Sequence, residues 1–126
     1  MSPESLDYYR VAERILAQAE SLLADGYTEV AAREAYMAAL NTARAIVFEI
    51  TGEAPKTHSG TRKVLSKLVH DGLPLDNAYT RFLATGFDQK TDADYGPRSP
   101  VQQEAAESSV ETARRFLAAA RELLDK

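Results

Sequence analysis

Apolar residues recur at helical spacing along nearly the whole chain, and turn signals divide this pattern into five segments. The first segment opens on Ser2 and Pro3, which is typical of a helix N-cap followed by proline at the first helical position. It stops at Gly26, a residue that favours the left-handed turn after a helix. The second segment is rich in alanine, with apolar positions from Ala31 to Ile50. We predict that Thr28 caps it and that it ends at residue 52.

The third segment is shorter than the others and begins near Ser59 or Gly60, with Gly72 closing it. A fourth segment runs from about residue 75 or 76 to about residue 94. It contains Gly86, and because a glycine within a helix costs about 1 kcal/mol relative to alanine, a close backbone contact is expected there. The residues from 99 to 102 form a capping box that begins the last segment, which runs to about Leu124.

Five helices joined by short connections predict an all-α, antiparallel up-and-down bundle with four long helices and one short helix. The chain of 126 residues is expected to form a single domain over residues 1–126. Long alanine-rich helices in so small a domain often leave an apolar face that a second copy covers, so a homodimer is expected.

Composition excludes several classes of function. There is no cysteine, so neither disulfides nor thiol catalysis are expected, and with only two histidines no metal site or cofactor is predicted. No apolar run approaches the roughly 18 residues that a membrane span needs, and no signal peptide precedes the first segment. The sequence therefore predicts a cytoplasmic protein without membrane contact.

Charge is distributed unevenly along the chain. The formal net charge is -4, yet residues 55–70 contain four cationic side chains, both histidines and no carboxylate, which leaves -8 for the rest. The cationic side chains are Lys56, Arg62, Lys63 and Lys67. A local reversal of this kind indicates a place that receives an anion, such as a phosphate, a nucleotide, RNA or an acidic partner.

Two interpretations apply to the loop Lys56-Thr57-His58-Ser59-Gly60 at the start of the third segment. It could be an anion-binding turn at a helix N-terminus, where backbone N–H groups and the helix dipole favour negative charge. It could equally be a helix cap, with Thr57 or Ser59 accepting from the first N–H groups and His58 packed on a neighbouring helix. The face that carries Arg62, Lys63, Lys67 and His70 is most simply a solvated polar stripe.

Arg44 has apolar helical neighbours, which places its head near a buried or interfacial boundary. A buried guanidinium needs a partner, and Asp88 and Asp94 are the candidates for an ion pair between the second and fourth segments. A role in binding a ligand phosphate is the alternative. Lys90 and Asp94 are four residues apart and can pair with each other just before Tyr95.

Three stretches together resemble the HEPN family of small helical proteins, specifically its short standalone branch. They are the alanine- and tyrosine-rich helix from Ala35 to Ala45 with Arg44 embedded, the Lys56–Gly60 loop, and the ending Ala93-Asp94-Tyr95. The resemblance covers nearly the whole chain. It implies a four- or five-helix bundle that dimerises and a minimal nucleotidyltransferase as partner, as in toxin–antitoxin modules. It also implies that the tyrosine near the end of the fourth helix can be modified by that transferase, here Tyr95.

Many HEPN proteins are metal-independent ribonucleases, whose signature is an arginine followed a few residues later by a histidine, late in the bundle. This chain lacks that histidine: with Tyr95 placed on the tyrosine that often follows it, Ala93 occupies the histidine position. Lys90 stands where the branch has arginine, and lysine lacks the planar bidentate fork. The resemblance therefore predicts a module without catalytic residues.

The leading hypothesis is a non-catalytic HEPN-type module that binds a nucleotidyltransferase partner, a nucleotide or RNA. The expected ligand-binding residues are Arg44, Lys56, Thr57, His58, Ser59, Gly60, Lys90, Asp94 and Tyr95. The first alternative is a metal-independent endoribonuclease toxin in which His58 or His70 replaces the missing late histidine. The second is a dimeric helical adaptor without a ligand.

Overall fold

The structure, a computed structural model, describes the backbone of residues 1–95 and 103–125 and the side chains of residues 1–86 and 103–125. Within these ranges all regular secondary structure is helical, and no strand is present. The helices are α1 (Pro3–Ala24), α2 (Thr28–Thr51), α3 (His58–His70), α4 (Ala78–Tyr95) and α5 (Gln103–Leu124). The predicted all-α bundle of five helices is confirmed, and α3, with 13 residues, is the short one.

Helices α1 and α2 form an antiparallel hairpin. Ser2 caps α1 as predicted, because its side chain accepts a hydrogen bond from the Ser5 N–H at 3.2 Å. The Ser2 N–H in turn donates to Oε1 of Glu49 at 2.8 Å, which joins the first residues of α1 to the last turn of α2. This hydrogen bond also lowers the pKa of Glu49.

The turn between α1 and α2 corrects the prediction that Thr28 caps α2. The N–H of Tyr27 donates to the Leu22 carbonyl and that of Gly26 to the Leu23 carbonyl, which is the Schellman arrangement at a helix C-terminus. Gly26 has a φ of 87°, so the chain reverses at once and Thr28 is already the first helical residue. The N-cap is therefore Tyr27, whose side chain makes no capping hydrogen bond.

Helix α2 lies at the centre of the bundle and contacts each of the other four helices. Its alanine-rich sequence makes this possible, since small side chains allow neighbours to approach on several sides. Ala31, Ala35, Ala39 and Ala43 are completely buried. Ile50 is an exception to the predicted stripe, because it is 44% exposed in the last turn, where Gly52 ends the helix.

Helix α5 packs on α1, α2 and α4. It runs antiparallel to α1: Arg114 forms an ion pair with Glu20 at 2.8 Å. Further along α5, the guanidinium of Arg121 opposes the rise that burial produces in the pKa of the earlier residue Tyr9. On its other side the completely buried ring of Phe116 stacks on Tyr79 of α4, with centroids 4.7 Å apart.

Two predicted helix starts differ from the structure. Helix α3 begins at His58, one or two residues earlier than expected, and α4 begins at Ala78, two or three residues later. Asp76 accounts for the second difference, because its side chain accepts a hydrogen bond from the Ala78 N–H at 2.8 Å. Asp76 therefore precedes α4 and satisfies its first N–H group. The predicted capping box at residues 99–102 lies outside the described residues. No described helix combines the length and apolar character that a membrane span requires.

Candidate functional site

The loop from Lys56 to Gly60 is built as a helix cap. Thr57 is extended, with ψ of 154°, and its Oγ1 accepts from the Gly60 N–H at 2.9 Å. A Cβ on Gly60 would lie 2.7 Å from that same Oγ1, so the cap requires glycine at this position. Behind it, the buried hydroxyl of Thr61 donates to the Thr57 carbonyl at 3.0 Å. This local structure follows the helix-cap interpretation of the sequence.

A cavity of about 430 Å³ lies beside this cap, between α2, α3 and α4. Three of its lining residues belong to the predicted loop, and the others come from all three helices. The described lining consists of Tyr36, Thr57, His58, Ser59, Arg62, Leu83 and Ala84. Of the other loop residues, Lys56 is exposed and Gly60 is half-buried, and neither belongs to the described lining of this cavity.

Tyr36 connects the cavity to the core. Its side chain is only 2% exposed, and its ring lies 6.0 Å from the ring of His58 at an angle of 55°. On another side it meets α4 at Gly86, where an added Cβ would be 2.8 Å from the ring atom Cδ2. The close contact predicted for Gly86 is therefore present, and its partner is the Tyr36 ring.

Among the residues that the structure describes, the cavity lining carries positive and no negative charge. Burial raises the pKa of the Tyr36 phenol, and the guanidinium groups of Arg62 and Arg44 oppose that rise because they favour the phenolate. No carboxylate belongs to the described lining. The arrangement is suited to an anion, with hydroxyl donors on Thr57 and Ser59 and a cation on Arg62.

The position of Arg62 corrects the prediction of one solvated stripe along α3. Lys63, Lys67 and His70 are exposed as expected, and Lys67 makes only a surface contact with Asp71 at 4.0 Å. Arg62 instead is half-buried and lines the cavity. The reason is helical geometry: it lies four residues after His58, so both project from the same face of α3.

Arg44 is half-buried on α2, near the boundary at which the sequence placed it. The side chains of its predicted partners, Asp88 and Asp94, lie outside the described residues. The same is true of Lys90 and Tyr95. Their backbone belongs to α4, beyond Gly86. At 1.5 Å per residue, Lys90 is about 6 Å and Tyr95 about 13 Å further along the helix axis.

No local pattern in the sequence identifies Tyr36, Leu83 or Ala84 as site residues. The glycine at position 86 indicated a close approach to α4, but only the packed bundle shows which ring fills that space. For Arg62, the spacing of four residues from His58 was a signal available in the sequence. Among the described side chains, no group of three or more potential metal ligands is brought together.

Comparison with known proteins gives one result. The family model described as HEPN domain matches residues 5–123, nearly the whole chain. A search of curated proteins found no significant match.

Proposed function

This chain belongs to the HEPN domain family, and from that premise we propose that it is a non-catalytic module that binds a phosphate-bearing ligand, a nucleotide or RNA, in the cavity at the start of α3. The observation that carries the proposal is the composition of the cavity: Arg62, two hydroxyl groups and the N-terminal end of α3 converge on it, and no described carboxylate lines it.

The absence of a late histidine supports a non-catalytic role. The chain has only two histidines, His58 and His70, and neither follows α3. The imidazole that would act as general acid or base in the family's ribonucleases is therefore missing from the sequence of α4. Ala93 and Lys90 stand where that signature would have its histidine and the branch its arginine.

The partners proposed for this module are a second copy of the chain and a minimal nucleotidyltransferase, as in toxin–antitoxin pairs of the cytoplasm. Both follow from family membership rather than from the cavity. A small nucleotidyltransferase gene adjacent to the gene for this protein would support the second partner, and co-purification of the two products would test it. Recovery of each protein alone after co-expression would contradict it.

Replacement of Arg62 by glutamine is expected to weaken ligand binding at least about tenfold, because a hydrogen bond to a charged group contributes about 1.5–3 kcal/mol. The measurement is the rise in melting temperature with increasing AMP or a short RNA, which reports affinity by mass action. Lys63→Gln is the matched control: it removes the same charge from the next residue, which is exposed and outside the cavity. Equal losses in both variants would mean that general charge attracts the ligand.

The location of His58 favours a second candidate function, metal-independent RNA cleavage. His58 lines the cavity with Arg62, whereas His70 is exposed and 12 residues further along α3, about 18 Å away along the axis. If His58 replaces the missing late histidine, RNA incubated with excess protein and a chelator will be cleaved, and His58→Ala will abolish cleavage while His70→Ala leaves it unchanged. Intact RNA would exclude this function and leave the binding module.

A further inference from the structure

One face of α2, the central helix, stays half-buried while the rest of that helix is enclosed. Its residues are separated alternately by four and three positions, the heptad spacing that keeps side chains on one side of a helix. Between Ala31 and Val47, every side chain of α2 that is not buried belongs to this face, except that of the adjacent Arg33. We call the face the α2 stripe, and its residues are Val30, Glu34, Met37, Asn41, Arg44 and Phe48.

Helix α1 widens the stripe along one side. At one end the ring of Tyr8 lies 6.3 Å from the ring of Phe48. At the other end a groove is lined by both helices, with Leu22 from α1 and Glu34 from α2. Further side chains of α1 are half-buried between these two points. The two helices therefore present one surface to which α1 contributes the apolar residues Tyr8, Val11, Ile15 and Leu22.

The order of residues along the α2 stripe is symmetric in chemical character. An apolar residue lies at each end, a charged residue comes next, and two further residues flank the centre. The pairs at equal distances from the centre are Val30 with Phe48, Glu34 with Arg44, and Met37 with Asn41. Neither Glu34 nor Arg44 forms an ion pair within the parts of the chain that the structure describes. Their two opposite charges are thus available to a partner.

This symmetry fits a second copy of α2 that runs antiparallel to the first. A two-fold axis beside the centre of the stripe places each residue opposite the other member of its pair. Glu34 then faces Arg44 of the partner subunit, and the same ion pair forms a second time on the other side of the axis. Asn41 lies next to the axis, and a polar residue at such a position is known to fix the register of paired helices.

Other arrangements of two α2 helices lose these ion pairs. A parallel arrangement places Glu34 opposite Glu34 of the partner subunit and Arg44 opposite Arg44 of the partner subunit, so like charges repel. An antiparallel arrangement shifted by one heptad places Glu34 opposite Met37 or Thr51 of the partner subunit. Only the register centred on the stripe combines two ion pairs with apolar contacts at both ends.

We propose that the α2 stripe is the two-fold interface of a homodimer, with α2 antiparallel to α2 of the partner subunit and the half-buried residues of α1 at the edge. This inference specifies the surface for the second copy named under the proposed function, but it does not depend on ligand binding. The stripe is about 27 Å long, and two helices are about 20 Å wide. Each copy then contributes about 500 Å², and a total of about 1,000 Å² is the lower limit of specific interfaces, so the dimer is reversible.

Sedimentation velocity of the full chain over a range of concentrations tests the interface. We expect a monomer–dimer equilibrium in wild type. Arg44→Glu and Glu34→Arg should each raise the dissociation constant at least about tenfold, because each places like charges opposite one another twice. Lys63→Glu is the matched control: it reverses a charge on the exposed face of α3 and should leave the dissociation constant unchanged. Circular dichroism checks that each variant is folded.

Two rescue experiments assign the effect to the pairing of Glu34 with Arg44. The double variant Glu34→Arg/Arg44→Glu restores opposite charges across the axis and should dimerise within about threefold of wild type, a difference of less than 1 kcal/mol. An equimolar mixture of the two single variants should form a heterodimer, since one variant carries two cations on the stripe and the other carries two carboxylates. A folded double variant that stays monomeric would contradict the pairing.

Cross-linking determines the orientation of the two copies. The chain contains no cysteine, so introduced thiols are the only ones present. Val30→Cys and Phe48→Cys chains should be joined by a short bis-maleimide when they are mixed, because the antiparallel register places these positions opposite each other. Neither variant should cross-link with itself, since its two thiols are then about 27 Å apart along the axis. Efficient cross-linking within each variant alone would indicate a parallel dimer and overturn the inference.

The interface and the proposed function can fail separately, because no residue of the α2 stripe belongs to the described lining of the cavity. A wild type that remains monomeric at every concentration, or a dimer unaffected by both charge reversals, would overturn the interface. If that protein still shows a rise in melting temperature with AMP, the proposed function stands. A dimer that behaves as expected but binds neither AMP nor RNA would keep the interface and overturn the function. A monomer whose co-purification with a nucleotidyltransferase is lost in Arg44→Glu would assign the stripe to that protein instead of a second copy.

Discussion

Truncation of Phe116 to alanine is expected to lower the free energy of unfolding by about 3–5 kcal/mol. Phe116 is the largest side chain that the structure places completely out of contact with solvent, and its ring stacks on Tyr79 at 4.7 Å with an interplanar angle of 8°. Removal of the ring loses its apolar burial and leaves a cavity that the helices cannot fully close. Since a domain is typically stable by about 5–15 kcal/mol, this one change would remove a large part of the total.

The location of Phe116 gives this prediction a consequence for the candidate site. Tyr79 lies in the first turn of α4, and the same helix supplies Leu83 and Ala84 to the cavity wall. The aromatic pair therefore anchors the beginning of the helix that the ligand would contact. A Phe116→Leu variant, which keeps most of the apolar volume, should lose less stability than Phe116→Ala.

Urea denaturation followed by circular dichroism measures the effect. Arg115→Ala is the control on the same helix: its side chain is exposed and pairs with Glu111, so its loss should cost no more than about 0.5 kcal/mol. A double-mutant cycle with Tyr79→Ala should give a coupling energy of about 0.5–1.5 kcal/mol for the stacked pair. A loss below 1 kcal/mol for Phe116→Ala would contradict the complete burial of this ring.

Local signals in the sequence were sufficient to predict features that depend only on neighbouring residues. The cap at Ser2 requires only the residues that follow it, and the ends of α1 and α3 require a glycine that accepts a positive φ. Thr28 shows the limit of such signals. Threonine is a favourable N-cap residue, but the chain reverses at Gly26 and Thr28 is already helical. The position of this reversal depends on how the preceding helix ends.

The candidate site could be predicted only in part, for a physical reason. Thr57, His58 and Ser59 are adjacent in sequence, so a motif identifies them together, and the structure brings all three to one cavity. Charge counting also favoured Lys56, but a cation at the start of a loop points outward unless packing holds it, and Lys56 is exposed. Tyr36 and Leu83 join the cavity through contacts between helices, which no local pattern contains.

Replacement of Gly86 by leucine is expected to lower the free energy of unfolding by about 2 kcal/mol. Even a Cβ at this position would lie 2.8 Å from Cδ2 of Tyr36, closer than carbon atoms pack, although its 3.6 Å distance to Cε2 would be an ordinary contact. Overpacking of this kind costs about 1–3 kcal/mol, and the better helix propensity of leucine offsets less than about 1 kcal/mol of that cost. Tyr36 is buried, so its ring has little room to move away.

Chemical denaturation of Gly86→Leu and Thr85→Leu provides the matched comparison. Thr85 is the neighbouring residue on α4 and is exposed, so leucine there should be accommodated without a clash. A second variant that combines Gly86→Leu with Tyr36→Ala should be more stable than the sum of the two single changes predicts, by at least about 1 kcal/mol, because leucine then enters space left by the ring. Equal stability of Gly86→Leu and Thr85→Leu would contradict the close contact between α2 and α4.

The smaller change Gly86→Ala links the packing of α4 against Tyr36 to ligand binding. Alanine adds the one methyl group that meets the Tyr36 ring, and the ring's neighbours on its other side are His58 and the cavity. A displaced ring changes the wall that Tyr36 forms in the cavity beside His58. We therefore expect Gly86→Ala to remain folded and to bind AMP several-fold more weakly than wild type, whereas Thr85→Ala binds it normally. Unchanged affinity in Gly86→Ala would mean that the phenol is not part of the binding surface.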